Sequence, residues 1–146
     1  MEIEPVRIDK HCISCLVYSD PPHNPWLFSG VHAPYNSQRR SEFWSFLSEL
    51  GNSFGGAWLL LGDFNSILSA SEKRGGRAFG NSGQLDFVDF VHCNALVDLG
   101  YLGSSFTWSN RREGRLNIRE RLDRGLANQS WIQLFPNSII NHIPAT

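Results

Sequence analysis

The sequence predicts a single mixed α/β domain over residues 1–146. The apolar run of residues 57–61 is short and ends at Gly62, which is typical of a strand buried on both faces rather than of an amphipathic helix. Two further segments repeat apolar residues at helical spacing behind capping side chains. No internal repeat or linker divides these elements, so we expect one domain.

The N-terminal part predicts an antiparallel pair of strands. The first ten residues carry no readable period. Residues 13–18 and 26–32 have strand-like composition, and the turn-forming residues 20–25 lie between them. We therefore expect these two strands to pair antiparallel.

Two helices are expected to pack on the sheet. Asn36 or Ser37 can cap the first helix, which Gly51 would end, and Ser82 can cap the second. The apolar face of the first consists of Phe43, Phe46, Leu47 and Leu50, and that of the second of Phe87, Phe90 and Val91, widened by Leu85 and Val88.

The segments that remain predict a long loop and a C-terminal hairpin. Residues 66–81 are rich in Gly, Ser and charge, and loops of this length are usually functional or mobile. Residues 104–109 and 117–126 predict strands that flank a turn containing Gly114. Asn128 can cap a short helix through Phe135, and residues 139–143 predict a final strand.

The charge is distributed unevenly along the chain. The formal net charge is −1, but residues 106–146 carry six basic and three acidic side chains and form a net-positive segment. All six of these arginines fall between Arg111 and Arg124, so a polyanion is expected to bind there. The hydrophobic fraction of 41% excludes a disordered chain.

Three cysteines, an odd number, follow no signal-peptide pattern, which indicates an intracellular, reduced protein. Cys12 and Cys15 form a C-x-x-C without a second pair, so buried thiols are a better interpretation than a zinc site. No apolar run approaches the ~18 residues of a membrane span, and we expect no membrane partner.

Asp63 and Asn65 follow the apolar strand at a spacing of two residues, which places both polar groups on one side. Ligands of open α/β sheets usually bind beyond the carboxyl ends of buried strands, so this pair is well placed for chemistry. The alternative is an Asx-turn that only caps the strand.

Asp63 and Asn65 belong to the first of five short motifs that follow one another along the chain. The motifs are Gly62-Asp63-Phe64-Asn65, Glu72-Lys73-Arg74-Gly75-Gly76, Asp98-Leu99-Gly100-Tyr101-Leu102-Gly103, Phe106-Thr107-Trp108-Ser109-Asn110 and Glu120-Arg121-Leu122-Asp123-Arg124. In this order and spacing they closely resemble the endonuclease domain of plant non-LTR (LINE-type) retrotransposons, and the resemblance is strongest over residues 26–144. That domain belongs to the endonuclease/exonuclease/phosphatase superfamily, which includes pancreatic deoxyribonuclease.

The resemblance implies a fold, an activity and partners. The fold would be a partial four-layer α/β/β/α sandwich of the deoxyribonuclease-like type, and the activity would be Mg²⁺-dependent nicking of DNA. DNA would be the partner, Mg²⁺ the cofactor, and no small-molecule cofactor would be needed. The parent polyprotein would carry a reverse transcriptase, and a functional protein of this kind would act in the nucleus.

The same resemblance implies roles for several polar residues. Asp63 would orient the attacking water and contact the metal indirectly or weakly, and Asn65 would hydrogen-bond a phosphate oxygen. Asp123 would orient a catalytic histidine of a Ser-Asp-His motif expected just beyond residue 144. The alternative for Asp123 is an exposed ion pair with Arg121 or Arg124.

Two positions near the first helix also match the superfamily. His32 stands where a phosphate-holding tyrosine is usual, and an imidazole is shorter than a phenol and titrates near neutrality. Asn36 occupies the asparagine of the same motif, one residue later than in many relatives. Both would contact the substrate phosphate.

The hairpin combines an aromatic residue with hydrogen-bond donors that suit nucleic acid. Relatives use the equivalent loops to enter the minor groove or to abut the flipped-out residue. The alternative is a solvated, charged hairpin with Trp108 in the core. The candidate DNA-binding residues are Trp108, Asn110, Arg111, Arg112 and Arg115.

The resemblance is incomplete at both ends of the chain. The superfamily's N-terminal region, with an Asn and the metal-binding Glu, has no counterpart before His11, and the C-terminal Asp-His pair is absent. We therefore expect an incomplete domain whose fragment is inactive. A second hypothesis is a remnant that at most binds nucleic acid through residues 111–124, without catalysis.

Overall fold

Residues 1–144, which the computed structural model describes, form three α-helices and eleven β-strands. The helices are α1 (Ser37–Phe54), α2 (Ser82–Cys93) and α3 (Gln129–Leu134). The strands are β1 (Ile3–Ile8), β2 (Cys12–Ser19), β3 (Pro22–His32), β4 (Trp58–Asp63), β5 (Lys73–Arg74), β6 (Val97–Asp98), β7 (Leu102–Gly103), β8 (Trp108–Ser109), β9 (Arg119–Glu120), β10 (Asp123–Ala127) and β11 (Asn141–His142).

The main sheet has six strands in the order β1-β2-β3-β4-β10-β6. The strands β3 and β4 pair in parallel, as expected when α1 connects them, and the other neighbours in this sheet are antiparallel. A three-stranded sheet in the order β5-β9-β8 and a parallel pair of β7 with β11 complete the architecture. The predicted antiparallel pairing of the two N-terminal strands is confirmed.

The helices α1 and α2 cover one face of the main sheet. Their buried aromatic side chains stack on each other and on Phe64, with Trp44 at 4.9 Å from Phe87 and 5.1 Å from Phe90. On the opposite face, α3 packs Trp131 against Ala127 and the partly buried Trp26. This alternation explains why apolar residues run continuously through β4.

Helix boundaries are set by caps, two of which differ from the prediction. Helix α1 passes Gly51, where a Cβ would meet the Trp58 ring, and ends at Gly55, whose φ of 68° closes a bond from its N–H to the Gly51 carbonyl. Asn81, not Ser82, caps α2, because its side chain forms a capping box with Gln84.

Several strands differ from the predicted ones. Strand β1 escaped the sequence analysis because all six of its residues are exposed, so its side chains follow no burial alternation. The predicted strand 117–126 is divided into β9, which pairs with β5, and β10, which pairs with β4, and the N–H of Arg121 between them bonds to the Glu72 carbonyl. Strands 104–109 and 139–143 shorten to two residues each.

Other elements follow the prediction. Asn36 caps α1 and Asn128 caps α3, each accepting a hydrogen bond from a backbone N–H of the first turn.

One expectation about α2 is wrong. Leu85 does not widen the apolar face of this helix, since it is 47% exposed. None of the helices in the described part of the chain combines the length and apolarity that crossing a membrane requires.

Candidate active site

Three polar side chains lie in one row across the ends of β3, β4 and β10. His32 is the register partner of Asp63 in the parallel pair, and Asp123 is its partner in the antiparallel pair. Residues that are directly opposite on neighbouring strands project from the same face. The fold therefore places two carboxylates and an imidazole side by side on the face that α1 and α2 do not cover.

The Asp63 carboxylate is the central group of this row. Its Oδ1 accepts a hydrogen bond of 2.8 Å from the Asn65 N–H, and its Oδ2 lies 4.0 Å from His32 Nε2. Burial raises the pKa of Asp63, and the nearby charge of Asp123 raises it further. The hydrogen bond from the Asn65 N–H and the interaction with His32 lower this pKa, but by less. The Asx-turn that was the alternative interpretation is thus present within the candidate site.

Asn65 adopts a left-handed backbone with φ of 47°, which is uncommon for a residue other than glycine. Its Nδ2 donates a 2.7 Å hydrogen bond to the carbonyl of Ala33, and the Ala33 N–H donates to the Asp63 carbonyl. One N–H of the amide is used in this way. The second N–H is available to a ligand.

Gly62 brings β3 and β4 together immediately before Asp63. Its φ is 143°, and a Cβ at this position would clash with the carbonyl oxygen of Val31 on the neighbouring strand. The absence of a side chain at Gly62 thus permits the close approach that sets His32 beside Asp63.

Thr107 holds the start of β10. Its Oγ1 accepts hydrogen bonds from the backbone N–H groups of Leu122 and Asp123, at 3.0 and 3.1 Å. Thr107 lies within one of the five motifs, but its role could not be assigned from the sequence. In the sequence, Thr107 is a hydroxyl residue between two aromatic residues. That pattern does not indicate a function unless its contact with the start of β10 is known.

Behind Asp123, four charged residues form a buried network. Arg124 bonds to Glu72 at 2.7 and 2.8 Å and to Asp98 at 2.9 Å. Arg121 bonds to Asp98 at 2.8 and 3.0 Å and to Glu72 at 3.2 Å. These contacts tie the loop after Asn65 and strand β6 to β10.

This network corrects two expectations. In the single strand predicted over residues 117–126, Arg121 and Arg124 would lie on opposite faces, but the break between β9 and β10 directs both to the same carboxylates. Both are at most 5% exposed, so they are not available to a polyanion. Asp123 has neither arginine as an ion-pair partner among the contacts of residues 1–144.

Electrostatics within the network are balanced. Burial alone would raise the pKa of Asp98, but hydrogen bonds from Arg121 and the Gly100 N–H, with the charges of Arg124 and Arg121, hold it below its usual value. The guanidinium groups also lie over aromatic rings, Arg121 over Tyr101 and Arg124 over Phe87.

The hairpin lies beside Thr107 and presents most of its predicted DNA-binding residues to solvent. Trp108 is 43% exposed, so the alternative that buried it in the core is wrong. Together with Arg111 and Arg119 it lines an open cavity of about 580 Å³. Arg112 and Arg115 are also exposed.

Asn110 is committed to the hairpin itself. Its Oδ1 accepts from the N–H groups of Arg112 and Ile118, and its Nδ2 donates to the Leu116 carbonyl. The side chain thus holds the turn closed. Asn36 is similar in that its Oδ1 caps α1, but its amide nitrogen has no acceptor within residues 1–144.

The metal site that the resemblance implies would take its protein ligands from the polar row. Asp63 and Asp123 supply two neighbouring carboxylates. The described residues contain no group of three or more His, Cys, Asp or Glu side chains that could hold a metal ion. Mg²⁺ is commonly bound through one or two carboxylates plus water and substrate phosphate, so the pair suits a site that substrate and water complete.

Comparison with solved structures finds the same fold in several proteins. The chain is similar to the endonuclease domain of TRAS1, a telomere-specific non-LTR retrotransposon, with a TM-score of 0.68 over 90% of this chain at 10% identity. It is also similar to a β-hairpin deletion mutant of β toxin from Staphylococcus aureus, with a TM-score of 0.60 over 94% at 16% identity. For an endonuclease/exonuclease/phosphatase family protein from Bacteroides thetaiotaomicron the values are 0.50, 82% and 18%.

These similarities confirm the predicted α/β fold of the endonuclease/exonuclease/phosphatase, deoxyribonuclease-like type. The chain spans 58%, 50% and 42% of the lengths of these three proteins. No protein-family profile and no curated protein matches the sequence.

Proposed function

We propose that this chain is part of a phosphodiester hydrolase that acts on DNA, of the type of the LINE retrotransposon endonucleases. The observation that carries the proposal is the row formed by His32, Asp63 and Asp123, with Asn65 directly behind it. Phosphodiester hydrolysis needs a carboxylate or other base that orients the attacking water and donors for the phosphoryl oxygens, and these residues supply both kinds of group.

Each residue of the row has a role that its environment supports. Asp63 accepts a proton from, or orients, the attacking water, and its raised pKa suits a general base. Asn65 donates its second amide N–H to a phosphoryl oxygen. His32, whose side chain is 72% exposed and whose Nε2 lies 4.0 Å from Asp63 Oδ2, donates a ring N–H to the phosphate.

Mg²⁺ is part of the proposal. Asp63 and Asp123 would hold it, with Asp63 contributing weakly or through water, and the ion would neutralise charge on the phosphate. Protein residues would still position the water and the phosphate. We also propose a nuclear site of action and a reverse transcriptase in the parent polyprotein.

A second candidate function is DNA binding without catalysis. It is favoured by the observation that the described residues contain no group of three or more His, Cys, Asp or Glu side chains that could hold a metal ion. The exposed cations of the hairpin, Arg111, Arg112, Arg115 and Arg119, could bind DNA by themselves.

Nicking of supercoiled plasmid in Mg²⁺ separates the two candidates for the isolated chain. We expect the 146-residue chain to nick no more than its Asp63→Ala, Asn65→Ala variant, because two carboxylates leave the ion weakly held. Nicking above that variant would show that the residues of this chain suffice for catalysis and would remove the binding-only candidate.

Metal binding at the row tests the hydrolase proposal without requiring turnover. Mn²⁺, added with a short DNA duplex, should selectively broaden the amide signals of Asp63, Asn65 and Asp123 in a ¹⁵N NMR spectrum. Asp63→Asn should abolish the broadening, and Asp89→Asn on the exposed side of α2 should not. Uniform broadening, or none, would reject the row as a metal-associated centre.

A further inference from the structure

A second polar cavity, of about 470 Å³, opens on the helix-covered side of Asn65. It lies where the N-termini of α1 and α2 meet, since a Cβ on Gly83 would be 3.2 Å from Ser37 Cβ and 3.5 Å from Arg40 Nη2. The residues that matter for its chemistry are Asn36, Arg40, Lys73, Asn81, Gln84 and Glu120.

Arg40 carries a positive charge that its surroundings do not neutralise. Its Nη1 donates to the carbonyls of Pro34 and Tyr35, and its buried Nε has no hydrogen-bond partner within residues 1–144. Burial lowers the pKa of the guanidinium, whereas the interactions with Tyr35 and Glu120 raise it by less. Glu120 itself pairs with Lys73 at 3.3 Å, so the three charges leave a net of +1.

Gln84 is a buried side chain with an unused donor that lines the same cavity. It is 8% exposed, and its Oε1 accepts the N–H groups of Gly80 and Asn81. Its Nε2 has no acceptor in the part of the chain that the structure describes. The capping role thus fixes the amide so that its NH₂ remains as a donor.

Asn36 and Asn81 repeat this arrangement. Each uses its Oδ1 to cap a helix and keeps its Nδ2 without an acceptor among the described residues. The first turns of α1 and α2 contain no acidic side chain to offset the positive ends of the helix dipoles. Donors and uncompensated positive charge therefore converge on one cavity.

We propose that this cavity binds a phosphate group. The ligand must be anionic, because the site offers N–H donors and a net positive charge, and a phosphate oxygen matches this donor set. Assigning the phosphate to a DNA backbone, next to the phosphodiester at Asp63, rests on the proposed function. Phosphate binding itself does not rest on it.

A charge reversal that preserves the fold tests the site. Gln84→Glu keeps an oxygen acceptor for the capping box, in which Glu serves as well as Gln, but places a carboxylate in the cavity. The matched control is Gln129→Glu, the same substitution in the exposed first turn of α3. Thermal unfolding of both variants shows whether the fold is kept, and Lys73→Gln replaces Gln84→Glu if it is not.

The readout is a ¹⁵N NMR titration with sodium phosphate, against sodium chloride at equal ionic strength. Saturable shifts are expected at the amides of Ser37, Ser82 and Gly83, and Gln84→Glu should weaken the affinity at least about tenfold because like charges oppose each other. Shifts that do not saturate, that occur equally with chloride, or that survive Gln84→Glu as they survive Gln129→Glu would overturn the proposal.

A second arm identifies the source of the phosphate. If a short DNA duplex shifts the same amides and displaces inorganic phosphate, the site takes a backbone phosphodiester. If DNA leaves these amides unchanged while phosphate binds, the ligand is free phosphate, and the backbone assignment fails. Neither result depends on nicking or on Mn²⁺ at Asp63, so failure here is distinct from failure of the proposed hydrolase function.

Discussion

Asp63 and Asp123 are direct register partners across the antiparallel pair of β4 and β10. They come from separate sequence motifs, and strand pairing alone puts their carboxylates next to each other. Two neighbouring carboxylates disfavour simultaneous ionisation, which is consistent with the raised pKa of the more central one.

The substitution Asp123→Asn should lower the pKa of Asp63. Burial, the larger cause of the raised pKa, would remain, so the pKa should fall only part of the way to its ordinary value. The measurement is a ¹³C NMR titration of the Asp63 carboxyl. A pKa that stays unchanged would show that the two side chains do not sense each other.

Asp63 should also make stability depend on pH. A carboxyl whose pKa is raised by folding contributes stability that is complete below its unfolded pKa and is lost as pH rises through the folded pKa. Asp63→Asn should therefore flatten this loss. Urea unfolding between about pH 3 and about pH 7, which brackets the titration of ordinary carboxyls, measures it.

Removing one member of the buried ion network should lower the free energy of unfolding. Arg124→Met would leave Glu72 without its principal partner and Asp98 with Arg121 alone, and breaking a buried pair in this way costs about 3–5 kcal/mol of unfolding free energy. Arg119→Met on the exposed hairpin should change stability by less than about 0.5 kcal/mol. Equal losses in urea unfolding would contradict the central place of the network.

The same network gives the opposite pH dependence from Asp63. The pKa of Asp98 is lowered by folding, so its contribution is present above the unfolded pKa and is lost as pH falls through the folded pKa. Ionisation of Asp63 thus reduces stability as the pH rises, whereas protonation of Asp98 reduces it as the pH falls. Asp98→Asn should remove the acid-side loss, at the expense of stability at neutral pH.

DNA affinity should be electrostatic and should reside in the hairpin. With Arg121 and Arg124 buried, the exposed charges Arg111, Arg112, Arg115 and Arg119 against Glu113 leave a net of +3. If about three phosphates are neutralised, the slope of log affinity against log salt should be roughly −3 on duplex DNA. Changing Arg111, Arg112 and Arg115 together to Ala should flatten the slope and weaken binding uniformly across sequences.

A charge-matched variant controls for net charge. Changing the exposed Lys10, Arg39 and Arg77 to Ala removes the same charge from other surfaces. We expect a smaller loss of affinity and a retained slope. The hairpin is not the main contact if this variant loses more affinity than the first.

The uncovered face of the main sheet should bind a hydrophobic dye. Ile13 is 55% and Leu61 39% exposed, and both line an open, largely apolar cavity of about 390 Å³ beside His32. Apolar strands exposed in this way recruit partners or aggregate. The double substitution Ile13→Thr, Leu61→Thr should reduce dye fluorescence and self-association in light scattering; a monomer that binds no dye would contradict this.

The sequence was sufficient for the elements that local patterns determine. The apolar run before Gly62 and the capping residues Asn36 or Ser37 are local signals, and they predicted β4 and the start of α1; the spacing of Asp63 and Asn65 likewise pointed to the candidate site. The hydrophobic faces of α1 and α2 were likewise predictable, because Phe43, Leu47 and Phe87 follow helical periodicity.

Relationships between distant segments could not be read in the same way. Glu72, Asp98 and Thr107 stand in the motifs that carry the family resemblance, but their contacts with residues 121–124 depend on three-dimensional packing. Arg124 was therefore counted with the DNA-binding arginines. Strand β1 has no buried alternation, so no pattern could reveal it.

The close contact of Gly62 with Val31 also bears on which sequences can encode this site. Any side chain at residue 62 would force β3 and β4 apart, and the distance from His32 to Asp63 would grow with that gap. A saturation library selected for correct assembly should therefore return glycine alone at this position, while the neighbouring Leu61, which faces the open groove, should accept many residues. The missing Cβ of Gly62 thus determines how close His32 lies to Asp63.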